Sequence, residues 1–159
     1  LRDEAQAALE VVRALAHGLW PPLLAVGGVL VALRAEADDA ALPVALHAPG
    51  AIPRSSPEAE AAVYYGCLEA LQNAAKHAGP DAHVVIELAC GAGWLHFAVL
   101  DDGPGPAAGA PGGSVGLTHV RDRVAAVGGA VELAARAGGG AAVRGRVPWP
   151  PRRPADGAA

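Results

Sequence analysis

Between residue 57 and about residue 78 the apolar positions Val63, Tyr64, Cys67, Leu68, Leu71, Ala75 and Ala78 recur every three or four residues, which predicts a helix with a core-facing stripe. At about 100° per residue, Glu69, Gln72, Asn73 and Lys76 fall along one line on the opposite side, with His77 beside them. A solvated face alone is usually filled with Lys, Glu and Arg. A carboxylate, a carboxamide and an ammonium one turn apart are also groups that hold a magnesium ion and a phosphate chain. The pattern suits a plain amphipathic helix too, so the residues downstream of it decide between the readings.

Upstream, residues 3–20 read as a helix with Leu9, Val12, Leu15, Ala16 and Leu19 on one side. Pro21-Pro22 interrupts it, and a second apolar helical run covers 23 to about 37. These pieces share a narrow apolar seam and must pack on another helix, either of their own domain or of a second copy. Leu42, Val44 and Leu46 alternate as a short strand, and residues 47–53 read as loop. Ser55 or Ser56 can cap the central helix, Pro57 suits its first turn, and Ser55 with Glu58 fits a capping box. Gly79-Pro80 ends it.

Two strands come next, 82–89 and 94–101, joined by the hairpin signal Cys90-Gly91-Ala92-Gly93. Leu95, Phe97 and Val99 share a face, and Asp101 is next in that series. A carboxylate at the end of a buried series is costly unless it is hydrogen-bonded or serves a ligand. After it runs DDGPGPAAGAPGGSVG, too rich in glycine to pack a core. A structureless loop of this length inside a compact domain is usually functional, although a plain linker has the same composition. Helical periodicity resumes with Leu117, Val120, Val124 and Val127, closed by Gly128-Gly129. A glycine-rich loop thus feeds a helix N-terminus, where free amides favour an anion. Arg121 and Arg123 are within reach of such an anion, with surface placement the simpler expectation. Strands at 130–135 and 141–147, split by Gly138-Gly139-Gly140, complete the pattern, and 148–159 is rich in Pro, Arg and Ala.

Composition narrows the partners. The chain has 159 residues, enough for one domain and something extra, and 52% of them are hydrophobic, though much of that is Ala. A net charge of −4 argues against nucleic acid, since no basic stripe is present to neutralise phosphates. Cys67 and Cys90 lack metal-ligand spacing and read as reduced, packed thiols in a cytosolic setting. The six histidines are scattered and suggest no zinc site. The apolar run 26–33 is too short to span a bilayer, so no membrane contact is expected from this segment. The sequence begins without Met inside a predicted helix, and is expected to be a soluble piece of something longer.

In order and spacing, these pieces resemble the ATP-binding domain shared by sensor histidine kinases, type II topoisomerases, Hsp90 chaperones and MutL repair proteins. LEALQNAAKHA resembles the N box, DDGPG the first glycine box, and SVGLTHVRDRVAAVGG the second, in the form found in the nitrate-sensor (NarL-partner) class of histidine kinases. ALEVVRALAHGLWPPLLAVGGVLVALRA is similar to the second helix of that class's dimerisation domain. The resemblance implies a two-layer α/β sandwich of the Bergerat type, with a mixed, mostly antiparallel sheet and helices on one face. It divides the chain into a partial dimerisation helix (1–38), an ATP-binding catalytic domain (39–149) and a disordered tail (150–159).

The resemblance implies ATP and Mg2+ as ligands. It assigns Asn73 to magnesium and the phosphates, and Glu69 to a magnesium-bound water or proton movement. Lys76 and His77 would face phosphates or ribose, and Asp101 would accept the adenine amino group. Gly103 and Gly105 would let the backbone approach the base, 106–113 would be the lid, and Gly116 and Leu117 would begin the phosphate-facing helix. Implied partners are a response regulator of the NarL type and a second copy through residues 1–37. The location implied is the cytoplasm, including the cytoplasmic part of a membrane-bound sensor.

Three departures stand out. Ser114 replaces the first glycine of the second box's usual GxG, and Gly140-Ala141 replaces a Gly-Thr, removing a hydroxyl beside the adenine-binding Asp. No phosphoacceptor His followed by an acidic residue is present, and His17 sits where the second helix often has Arg. The leading expectation is therefore the catalytic part of a sensor kinase whose acceptor histidine lies elsewhere. The alternatives are a serine kinase of the anti-sigma-factor type and a degenerate nucleotide-sensing or dimerisation module.

Overall fold

A computed structural model describes residues 21–105 and 115–151. Helix α1 (Pro22–Asp38) precedes strand β1 (Val44–His47) and the long helix α2 (Pro57–His77). Strands β2 (Val84–Gly91) and β3 (Trp94–Asp101) form a hairpin, followed by α3 (Val115–Ala126) and a second hairpin, β4 (Ala130–Ala135) and β5 (Ala141–Pro148). The five strands lie in the order β1-β2-β3-β5-β4. Only β1 and β2 run parallel, with α2 in the crossover between them. The expected layered α/β arrangement is what forms.

Alternation fixes which side of the sheet is covered. Val84, Ile86 and Leu88 of β2 and Leu95, Phe97 and Val99 of β3 are buried beneath the helices, while Glu87, Ala89 and His96 point away and are exposed. The Phe97 ring lies between two glycines. A Cβ at Gly66 of α2 would sit 3.4 Å from it, and one at Gly145 of β5 would overlap it. Helix and sheet therefore approach to the thickness of one ring at this level. Further along, α2 offers the sheet only Ala70, Ala74 and Ala78, and the layers stand apart.

The expected α2 stripe is buried at Val63, Tyr64, Cys67, Leu68, Leu71 and Ala78, and departs from expectation at Ala75. Ala74 is 5% exposed and buried against the sheet, whereas Ala75 faces solvent. Ala carries too little hydrophobic signal to mark a face. The cap is Ser56, whose Oγ accepts from the Ala59 amide at 3.2 Å, and the Ser55–Glu58 box does not form. Ser55 is instead fully buried: its amide donates to Glu60 Oε1 at 2.9 Å and its hydroxyl to the Pro150 carbonyl at 2.8 Å. Trp149 is buried beside it, bonded to Pro53 O and Gly93 O. The chain thus stays anchored through Pro150, just past the expected domain end; the tail 152–159 lies outside the described residues.

Of the two upstream helical runs, the described part, α1, docks on α2. Leu24, Val29, Ala32 and Leu33 are buried there, and the Tyr64 hydroxyl donates to Glu36 Oε1 at 2.6 Å. The run is not the continuous helix expected. Gly28 breaks it with φ +77° and ψ −179°. At the break Arg54 caps the first piece: Nη1 donates to Val26 O at 3.1 Å and Nη2 to Ala25 O at 3.0 Å and Leu24 O at 3.3 Å. Glu60, 1% exposed, holds the same guanidinium at 2.7 and 3.0 Å. A Cβ at Gly28 would meet Arg54 Cδ at 2.8 Å, so glycine serves both the conformation and the space. The expected helix over 3–20, including His17, lies outside the described residues.

Both thiols are free. Cys67 is wholly buried and its thiol is pushed far up by desolvation; Cys90, in the hairpin, is half-buried. A thiol-specific reagent is expected to label Cys90 in the native protein and Cys67 only upon unfolding, readable by mass spectrometry.

Candidate functional site

The gap left by the small α2 residues is a cavity of about 330 Å³ between helix and sheet. Ala70, Asn73, Ala74, His77 and Ala78 line it from α2, and Val99 and Asp101 from β3. Leu133 of β4, Ala141 and Val143 of β5, and Gly105 complete the wall. The cavity is mostly apolar with a polar group at either side, the arrangement that takes a flat, heteroatom-bearing ligand.

Asp101 is 9% exposed and ends the inward series of β3. Its Oδ1 accepts from the amides of Gly103, at 3.0 Å, and Ala141, at 3.2 Å. Both hydrogen bonds among the described residues fall on Oδ1, so Oδ2 is left to accept from a ligand. Three backbone segments converge here. A Cβ at Gly103 would lie 2.5 Å from Ala78 Cα, one at Gly105 2.8 Å from the Gly140 carbonyl, and one at Gly140 would overlap the Asp101 carbonyl. Beyond, the exposed Asp102 accepts from the His83 amide at 2.6 Å, and its carboxyl is held below the usual range mainly by that bond.

Across the cavity, Asn73 Nδ2 is buried with no partner among the described residues. A buried amide left unpaired costs free energy, and a ligand supplying an acceptor, or an ion once the carboxamide turns its oxygen inward, removes that cost. His77 is exposed but lines the mouth. Glu69 and Lys76 lie on the same helix and do not line the cavity; Lys76 faces solvent and Glu69 is half-buried. Gly116 and Leu117 lie in the first turn of α3, with Leu117 buried at 4%. Residues 106–113 and Ser114, the expected lid and its altered glycine, are outside the described residues. Arg123 stacks on the Tyr65 ring at 4.4 Å, which ties α3 to α2.

Sequence reasoning did not mark Leu133, Val143 or Ala70 as site residues. They are ordinary members of alternating strands and of an Ala-rich helix, and only the strand order brings β4 and β5 beneath α2. A larger groove, about 900 Å³, crosses the uncovered face of the sheet past Glu87, His96 and Arg144. Its charges are mixed and no orphaned polar atom among the described residues belongs to its lining, so the helix-side cavity is the candidate.

The architecture and this cavity agree with a family profile. The profile described as "Histidine kinase-, DNA gyrase B-, and HSP90-like ATPase" matches residues 58–151, more than half of the chain. The chain belongs to this ATPase family. Its fold is accordingly the GHKL ATPase fold, and its structural neighbours include histidine kinases. The histidine kinase domain of the Erythrobacter litoralis EL346 blue-light activated kinase is 25% identical, with TM-score 0.59 over 75% of this chain and 58% of that one. The Erythrobacter litoralis EL346 blue-light activated histidine kinase is 26% identical, with TM-score 0.63 over 80% and 42%. Full-length ShkA in complex with AMPPNP is 21% identical, with TM-score 0.56 over 78% and 29%, and shares the fold. The chain therefore spans less than two thirds of each of these three chains. No curated protein matches it. Among the described residues, no helix of this GHKL domain is long and apolar enough to cross a membrane.

Proposed function

We propose that this chain is the ATP-binding catalytic part of a two-component sensor histidine kinase of the NarL-partner class, acting on a histidine outside this chain. The observation that carries the reading is the single cavity bounded by Asn73 on one side and Asp101 on the other. Asp101 Oδ2 accepts the adenine amino group, while Val99, Leu133, Val143, Ala70 and Ala74 cover the ring faces. Gly103 and Gly105 keep the backbone close to the base. Asn73 reaches the phosphates, with His77 at the mouth beside phosphate or ribose and Lys76 next to it on the solvent side, outside the cavity lining. Gly116 and Leu117 lie in the first turn of a helix whose N-terminal amides suit the phosphate chain. The AMPPNP complex of ShkA supports a nucleotide in this fold.

Magnesium fits the donor set. Among the described residues no group of three or more His, Cys, Asp or Glu forms a protein-only cage. With its oxygen turned inward, the Asn73 carboxamide, with Glu69 one turn back acting through water, would fit an ion that keeps most of its ligands as phosphate and water. The ion supplies charge neutralisation at the transferring phosphoryl group; the chain's own part is to hold base, ribose and phosphates in line. A response regulator of the NarL type and a homodimer through residues 1–37 complete the reading. The docking of α1 on α2 favours a second one, a serine kinase of the anti-sigma-factor type, in which that helix belongs to the domain.

Isothermal titration with Mg-ATP tests the premise. The chain is expected to bind, Asn73→Ala to weaken the magnesium-dependent part, and no radiolabel from γ-labelled ATP to remain on the chain. Added to an acceptor domain of this kinase class, it is expected to give acid-labile phosphate. Acid-stable phosphate on a protein serine would support the second reading. No binding at all would end both.

A further inference from the structure

We infer that Arg136 is a positioning residue for base selection: it holds the main chain at Asp101 so that the carboxylate favours purines carrying an exocyclic amino group. The inference rests on the nucleotide reading of the cavity. Arg136, half-buried, follows β4 and opens the turn to β5. Its Nη1 donates to the Asp101 carbonyl at 2.5 Å. That carbonyl lies one residue past Leu100↔Ala142, where the β3–β5 pairing stops, so the ladder no longer fixes it from that side. The same turn reaches the carboxylate from its other end, through the Ala141 amide on Oδ1. Between these two contacts the turn closes on itself: the Arg136 amide donates to Gly140 O at 2.9 Å and the Gly139 amide to Arg136 O at 3.2 Å.

The turn therefore grips one residue at two points, main chain and side chain. With both held, the Asp101 carboxylate, which lines the cavity that Arg136 itself does not line, has little freedom to turn. Releasing the carbonyl leaves the carboxylate more orientations, of which only one meets an amino group. A ligand without that group has nothing to lose by the release. That difference separates a positioning role from a merely structural one.

The test compares ATP with purine riboside triphosphate, which is ATP lacking the exocyclic amino group, by titration into the wild-type chain and its variants with magnesium. Arg136→Ala is expected to weaken ATP about tenfold and to leave purine riboside triphosphate within about twofold, narrowing the preference between them. Arg136→Lys, which keeps a donor on a shorter reach, is expected to restore part of the preference. If Arg136→Ala proves unfolded by circular dichroism, Arg136→Gln gives the same comparison. Equal weakening of both nucleotides, or an unchanged ratio, overturns the inference while the nucleotide reading stands. A wild-type chain that binds neither overturns both.

Discussion

Asp101→Asn is expected to cost the domain most of its ATP affinity while leaving its fold intact. The substitution is isosteric, so the side-chain oxygen can still accept from the Gly103 and Ala141 amides and the convergence of the three backbone segments survives. What changes is the atom facing the cavity, which turns from a charged acceptor into an amide donor. Set against the amino group of adenine, a donor meets a donor in a site where Asp101 is only 9% exposed and water cannot easily intervene. Losing a hydrogen bond to a charged group costs about 2–3 kcal/mol, roughly 30- to 140-fold in Kd. Purine riboside triphosphate is expected to be much less affected. Titration calorimetry gives both numbers, and a melting temperature shows that the fold is unharmed. Undiminished ATP binding would remove Asp101 from the site.

Arg54→Ala is expected to be the most destabilising single change outside the core. Arg54 is the hydrogen-bonding partner of the Glu60 carboxylate, which is 1% exposed, and it also takes three carbonyls at the end of the first α1 piece. Removing it leaves a buried carboxylate with the Ser55 amide as its one remaining partner among the described residues, and uncaps the first piece of α1, which keeps its apolar packing on α2. Breaking a buried ion pair on one side costs about 3–5 kcal/mol. The guanidinium is itself one third exposed, so water enters the gap and the lower end, about 3 kcal/mol, is expected. Urea unfolding of the variant measures it. Glu60→Gln, which keeps shape and one acceptor, is expected to be milder. Equal stability of Arg54→Ala and wild type would mean that the pair only decorates the junction.

These two residues also mark where the sequence was readable and where it was not. Asp101 announced itself, because a carboxylate continuing the series Leu95, Phe97, Val99 breaks a period-two rule in a way that needs a reason. Asn73 did so less directly, through the company it keeps on α2. The strands and the three described helices followed from periodicity, with Gly and Pro marking their ends. Glu60 and Arg54 gave no such signal. A glutamate in the first turn of a helix is ordinary, a lone arginine in a loop is ordinary, and their pairing depends on α1 lying across α2. Gly27-Gly28 was the available hint of the α1 break, since paired glycines in a helical run rarely lack a cause. Arg136 and Leu133 were hidden for another reason: strand order, not local pattern, carries β4 and the turn after it to the cavity.

The row Ala70, Ala74, Ala78 has a consequence for how this domain came to hold a ligand. The side chains along one edge of α2 are short, and the nucleotide we propose would supply the volume they omit. On the nucleotide reading, the base would serve as a removable part of the domain's own hydrophobic centre. Larger residues at those three places would give a firmer protein with nowhere for that guest to sit.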